Sequence, residues 1–143
     1  MQLKPLTASQ STAPAIQRHP LFCEPVSAGF PSPADDYVEQ QLDLNEHLIR
    51  HPAATFFLKV EGDSMRDANI RHGDVLIVDR AVEARDGKIV IAALNGELTV
   101  KKIRYKTGRT FLFAENASYH PIEITPDSEC RIWGVVTFVI HRV

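Results

Sequence analysis

From residue 54 onward the chain is built of short runs of β-branched and aromatic residues, each closed by turn formers. The runs occupy residues 55–61, 75–79, 88–94, 97–105, 110–114, 122–125 and 131–141. Short strands at such close spacing predict a mostly β, compact domain. Asn95-Gly96 separates two of the runs, and a two-residue type I′ turn needs the positive φ that Asn and Gly tolerate. A β-hairpin is therefore expected there, with residues 97–105 as its outgoing arm.

The first third of the chain reads differently. Residues 1–33 hold six of the nine prolines, with Ser, Thr and Gln between them and no sustained period. This predicts an extended, mobile arm. Residues 35–50 carry good helix formers, acidic early and with His47 and Arg50 late, and Pro52 lies just beyond. That polarity suits the helix dipole and predicts one short helix. A chain of 143 residues is long enough for a single sizeable core, so one globular domain with an arm is expected.

Composition removes several function classes. The 18 acidic and 16 basic residues nearly cancel and neither sign forms a long run, which disfavours direct nucleic-acid binding. Cys23 and Cys130 have neither metal-ligand spacing nor the density of a disulfide scaffold, so reduced thiols in a cytoplasm are expected. The six histidines are scattered without ligand spacing, and no metal or cofactor is expected. Ala13-Pro14-Ala15 mimics a signal-peptidase site, but no apolar segment precedes it. The longest apolar stretches, 89–94 and 133–140, fall far short of the ~20 residues of a membrane helix, so neither export nor membrane anchoring is expected.

Against this background, Gly62-Asp63-Ser64-Met65 and Leu98-Thr99-Val100-Lys101 stand out, with Ser64 and Lys101 37 positions apart. A serine hydroxyl needs a nearby base to become a nucleophile. No histidine has a triad neighbourhood, and Ser64 lacks the Gly-x-Ser-x-Gly elbow. Lysine can act as that base only when neutral, which requires apolar burial to lower an amine pKa of ~10.4 towards ~7–8. Val90, Ile91, Leu94, Leu98, Val100 and Ile103 supply apolar surroundings along the hairpin. Strand alternation sends Lys101 and Lys102 to opposite faces, and the apolar parity does not choose between them. Taken singly, Gly-Asp-Ser is commonly a turn or cap and a strand lysine is commonly solvated. The signal lies in their joint occurrence.

These segments resemble the LexA/UmuD family of self-cleaving Ser-Lys peptidases, and the likeness extends beyond them. Ala28-Gly29-Phe30-Pro31-Ser32-Pro33-Ala34 looks like the cleavage segment, and Asp36-Tyr37-Val38-Glu39-Gln40 and Asp43-Leu44-Asn45 resemble the stretch after it. Gly73-Asp74-Val75-Leu76-Ile77-Val78-Asp79 follows the serine motif as in the family. The strongest local match runs from Ile89-Val90-Ile91-Ala92-Ala93 to Thr99-Val100-Lys101-Lys102. The first 20 residues have no comparable match, and the cut site reads Ala-Gly rather than Cys-Gly.

The resemblance implies a LexA-like peptidase β domain that cuts its own Ala28-Gly29 bond. Ser64 would be the nucleophile, Lys101 the general base, and the backbone amides of Asp63 and Ser64 the oxyanion donors. Residues 1–28 would be the arm removed, 29–143 the peptidase-like domain, and 29–53 its linker and short helix. It further implies stimulation by a RecA filament on single-stranded DNA, a homodimer for which residues 132–140 are a possible interface or simply core, and a UmuC-type error-prone polymerase as partner of the trimmed form in the SOS response. Only 28 residues, with Pro5, Pro14, Pro20 and Pro25 among them, precede Gly29, too few and too broken for the helix-turn-helix domain of a repressor. Two other readings stand beside this one: a transcriptional regulator acting through another DNA-binding protein, and a non-catalytic interaction module.

Overall fold

The computed structural model of the protein describes residues 2–5, 16–22, 28–29 and 38–143. Ten strands and one α-helix are formed among them: β1 (Gln2–Pro5), β2 (His19–Phe22), β3 (Val38–Leu42), α1 (Leu44–Leu48), β4 (Thr55–Glu61), β5 (Val75–Asp79), β6 (Ile89–Leu94), β7 (Glu97–Lys106), β8 (Arg109–Phe113), β9 (Ile122–Ile124) and β10 (Cys130–Ile140). The chain divides into two compact units, Met1–Ala8 with His51–Val143, and Ser9–Arg50.

The larger unit is one antiparallel eight-stranded sheet in the order β1-β4-β5-β10-β6-β7-β8-β9. All seven strands read from residue 55 onward are present, with ends displaced by no more than a residue or so. Asn95 and Gly96 adopt φ of 50° and 81°, as the β6–β7 hairpin requires, and Leu94 pairs with Glu97 across the turn. Thr107 and Gly108 make a second turn with both residues at positive φ, 48° and 75°, between β7 and β8. The β-branched Thr107 does not advertise that conformation, so this turn carries no comparable sequence signal.

β10 is the strand that lets the sheet bend, with register shifts at Ile132/Gly134 against β6 and at Val136/Phe138 against β5. A Cβ on Gly134 would lie 2.6 Å from Val78 Cγ1, so only glycine lets the two strands approach this closely. β10 lies between β5 and β6, and its terminal residues Phe138, Val139 and Ile140 remain exposed. One core cluster comprises Leu58, Val60, Met65, Ile70, Leu76, Val78, Ile91 and Val100; a second gathers Val90, Ala92, Ile103, Leu112 and Val135.

Two departures from the sequence reading lie in the first third. β1 pairs with β4, Leu3 opposite Val60, and the half-buried Leu3 packs on the first core cluster. Backbone pairing with the open edge of β4, together with the packing of Leu3, orders a segment with no period of its own. The helix predicted over 35–50 is confined to Leu44–Leu48, capped by the Asp43 carboxylate accepting from Asn45 N at 2.9 Å. Val38–Leu42 instead pairs with β2 in the smaller unit, a tertiary partner outweighing a weak helical propensity. Residues 35–37, Cys23 and the cleavage-segment residues 30–34 lie outside the described residues. No helix among the described residues is long and apolar enough to cross a membrane.

Candidate active site

β4 ends at Glu61, and Gly62, with φ of 98°, turns the chain into Asp63-Ser64-Met65. A single 3-10 turn, Arg66–Ala68, follows and closes on Asn69 in the left-handed region. Met65 is fully buried in the first core cluster and nails this turn to the sheet. Ser64 is consequently carried inside as well, with 0% exposure. Its Oγ has no hydrogen-bond partner among the described residues. A buried hydroxyl in that condition costs roughly 1–3 kcal/mol, and such orphaned groups concentrate where function requires them.

The two lysines left open by strand parity occupy different environments. Lys101, opposite Val90 on β6, is 7% exposed, and burial pushes its amine below the ordinary lysine pKa. Its Nζ lies 5.4 Å from the centroid of the Tyr119 ring. Lys102 is half-buried on the other face and forms an ion pair with Glu115 Oε1 at 3.4 Å. Met65 and Val100, the chain neighbours of Ser64 and Lys101, belong to the same core cluster. The fold thus brings the serine turn and the lysine strand to one region of the larger unit.

The segment after β8 was not singled out by sequence reasoning, yet it touches both halves of this region. Asn116, 5% exposed, donates through Nδ2 to Asp63 O at 3.0 Å and accepts from Ser118 N at 3.1 Å. Glu115 O accepts from Asp67 N at 2.8 Å, and Glu115 N donates to Met65 Sδ at 3.3 Å. Tyr119 OH donates to Asp63 Oδ1 at 3.4 Å. Glu-Asn-Ala-Ser-Tyr is ordinary turn vocabulary, so composition could not separate this segment from any other surface loop.

Ala28 and Gly29 lie in the smaller unit, both exposed, in a bend where Gly29 adopts φ of 130°. Cys130 is a half-buried thiol whose pKa burial raises.

The Peptidase S24-like family pattern matches residues 20–137 of this chain. The chain belongs to the S24-like peptidase family. Among individual relatives of this S24-like chain, Protein ImpA of Salmonella typhimurium is 50% identical over 123 residues, 86% of this chain and 83% of that protein. Protein MucA of Escherichia coli is 45% identical over 128 residues, covering 89% and 87%. The LexA repressor of Shewanella piezotolerans is 42% identical over 118 residues, covering 82% of this chain and 57% of the repressor. Identity and coverage make the chain a UmuD-like member of the LexA/UmuD family, and its chemical class is that of a serine peptidase.

Proposed function

We propose that this S24-like protein is a self-cleaving peptidase in which Ser64 and Lys101 form the catalytic dyad. The observation that carries the reading is a buried serine hydroxyl without a partner among the described residues, in the same region of the larger unit as a strand lysine whose burial favours the neutral amine. Lys101 Nζ takes the hydroxyl proton as Ser64 Oγ attacks the Ala28 carbonyl carbon. Negative charge gathers on the carbonyl oxygen, where the amides of Asp63 and Ser64 are the donors. Lys101 then returns the proton to the Gly29 nitrogen as the C–N bond breaks, and water hydrolyses the acyl-serine. Exposure of the Ala28–Gly29 bend and the small side chains there suit an extended substrate strand.

Tethering supplies a high effective concentration of substrate, so the resting chain must be held unreactive rather than made to bind more tightly. A RecA filament on single-stranded DNA is the proposed trigger. In this reading residues 1–28 are the arm removed and residues 29–143 the working domain. The trimmed cytoplasmic protein, as a homodimer, serves a UmuC-type error-prone polymerase during synthesis past lesions. Phe138, Val139 and Ile140, exposed at the end of β10, are the apolar residues proposed to meet in such a dimer.

The test is intact-mass analysis of the purified chain with and without RecA, single-stranded DNA and nucleotide. A filament-dependent break between Ala28 and Gly29, absent from Ser64→Ala and Lys101→Ala, is expected. A chain that stays whole under every condition, mildly alkaline pH included, overturns the proposal.

A further inference from the structure

We propose that Asn116 and Tyr119 are positioning residues of the cleavage site, Asn116 orienting the Ser64 amide and Tyr119 screening the Lys101 amine from water. The inference rests on the self-cleaving reading and assigns two residues to it that the serine and lysine motifs do not contain.

Asn116 acts on the planar peptide joining Asp63 to Ser64. Its carbonyl accepts two hydrogen bonds, from Arg66 N at 3.1 Å and from Asn116 Nδ2 at 3.0 Å. Because the peptide is planar and trans, holding the oxygen also fixes the direction of the Ser64 N–H on its opposite side. That N–H is one of the two proposed oxyanion donors, and donor direction decides how well it meets a developing charge. Asn116 is itself locked, since it is buried and its Oδ1 accepts from Ser118 N. The Glu115–Asp67 backbone bond ties the same two segments together a few residues on. The serine turn is therefore held from the side by a clamp and from beneath by Met65.

Tyr119 closes the other half. The centroid of its ring lies 5.4 Å from Lys101 Nζ, and Tyr119 is 43% exposed while Lys101 is 7% exposed, a pairing that suits the tyrosine to cover the amine. Its hydroxyl lies 3.4 Å from Asp63 Oδ1, a long contact that adds little to the placement of the ring. Charged groups on the surrounding elements are Asp63, Arg66 and Asp67 on the serine turn, Glu115 on the clamp, and Glu97, Lys102, Arg104 and Lys106 on β7, with Arg66 paired to Asp67 and Arg104 to Asp86. Of these, Asp63 engages Tyr119, and Glu115 and Lys102 engage each other. Two effects of the ring oppose one another: its π face favours the ammonium, whereas its bulk excludes the water that an ammonium needs. The screening effect wins in this reading, because Lys101 is only 7% exposed with the partly exposed Tyr119 close to its amine.

The experiment uses the full chain and compares Tyr119→Ala, Tyr119→Phe and Asn116→Ala with the unaltered protein and with Ser64→Ala. Two readouts are taken: self-cleavage rate against pH, and the Lys101 amine titration by NMR of 13C-labelled lysine, assigned with Lys101→Ala. Removing the screen moves the Tyr119→Ala titration and rate midpoint upward by about half to one pH unit, so cleavage at neutral pH falls about three- to tenfold. Tyr119→Phe keeps both midpoints, since the ring remains. Asn116→Ala lowers the rate about tenfold at every pH and leaves the midpoint where it was, as loss of donor alignment requires. A Tyr119→Ala midpoint that is unmoved or shifted downward overturns the screening role, and an unaltered rate in Asn116→Ala overturns the orienting role. Should Asn116→Ala fail to fold, Asn116→Asp, which keeps one oxygen for Ser118 N and loses the donor to Asp63, decides the same point. If the unaltered protein shows no Ser64-dependent cleavage, the self-cleaving reading fails, whereas the NMR titration still decides whether Tyr119 screens Lys101.

Discussion

At the residue scale, Ser64 and Lys101 are each placed where folding alone would not choose to put them. A buried hydroxyl without a hydrogen bond is destabilising, so Ser64→Ala is expected to abolish cleavage and raise unfolding free energy by about 1 kcal/mol. Urea denaturation of the uncleaved variant checks the second half of that statement. Lys101 has the corresponding signature in pH. Its folded-state pKa is depressed, so at low pH both folded and unfolded chains hold the proton and the folded state bears the cost of a buried ammonium. As pH rises through the folded-state value the native chain releases its proton first, and stability increases until the unfolded value, ~10.4, is passed. Cleavage should rise over the lower part of the same range, about tenfold per pH unit below the folded-state pKa. Lys101→Met is expected to remove both dependences, read by denaturation and by rate measurements across neutral to alkaline pH.

At the element scale, β5 is pinned at both ends by buried carboxylates facing histidines. Asp74, just before the strand, accepts from Arg71 N and lies 2.7 Å from His141 Nδ1. Asp79, its last residue, lies 2.6 Å from His51 Nδ1 and accepts from Ala81 N at 2.8 Å. Burial alone would raise the Asp79 pKa, yet the His51 hydrogen bond and the backbone amides outweigh it and hold the carboxyl below its usual value. A depressed carboxylate contributes stability above its unfolded pKa and loses it as pH falls through the folded one. Asp79→Asn is therefore expected to flatten the acid limb of the stability profile, measured as the denaturation midpoint from pH 7 downward. The turns offer a second check. Thr107 sits at φ of 48°, a conformation Asn accepts far better, so Thr107→Asn should stabilise by up to about 1 kcal/mol. Gly134→Ala should do the opposite by about 1–3 kcal/mol, since its methyl group would meet Val78 across the β10–β5 contact. Thermal melts of the two variants give both signs.

For the whole molecule, the pairing of β1 with β4 joins the first residues of the chain to the sheet that carries the serine turn. A cut between Ala28 and Gly29 would leave β1 held by a four-residue ladder and Leu3, without the tether that keeps its effective concentration high. Amide exchange along β4 is accordingly expected to quicken in the trimmed protein, and protection unchanged from the full chain would contradict it. What sequence alone determined was the set of elements from residue 55 onward, the β6–β7 turn, and the two motifs that resemble a Ser-Lys peptidase. Those features are local: period-two runs, a turn pair with positive φ, and residues at a fixed spacing all leave their mark within a few positions. Tertiary structure decided what depends on partners distant in the chain. β1 and β3 became strands because β4 and β2 met them, and the helix formed over five residues beyond β3, Leu44–Leu48. The same physics separated Lys101 from Lys102 and brought Asn116 and Tyr119 to the serine turn. Burial and hydrogen-bond partners belong to the packed sheet, and the order of residues along one strand does not contain them.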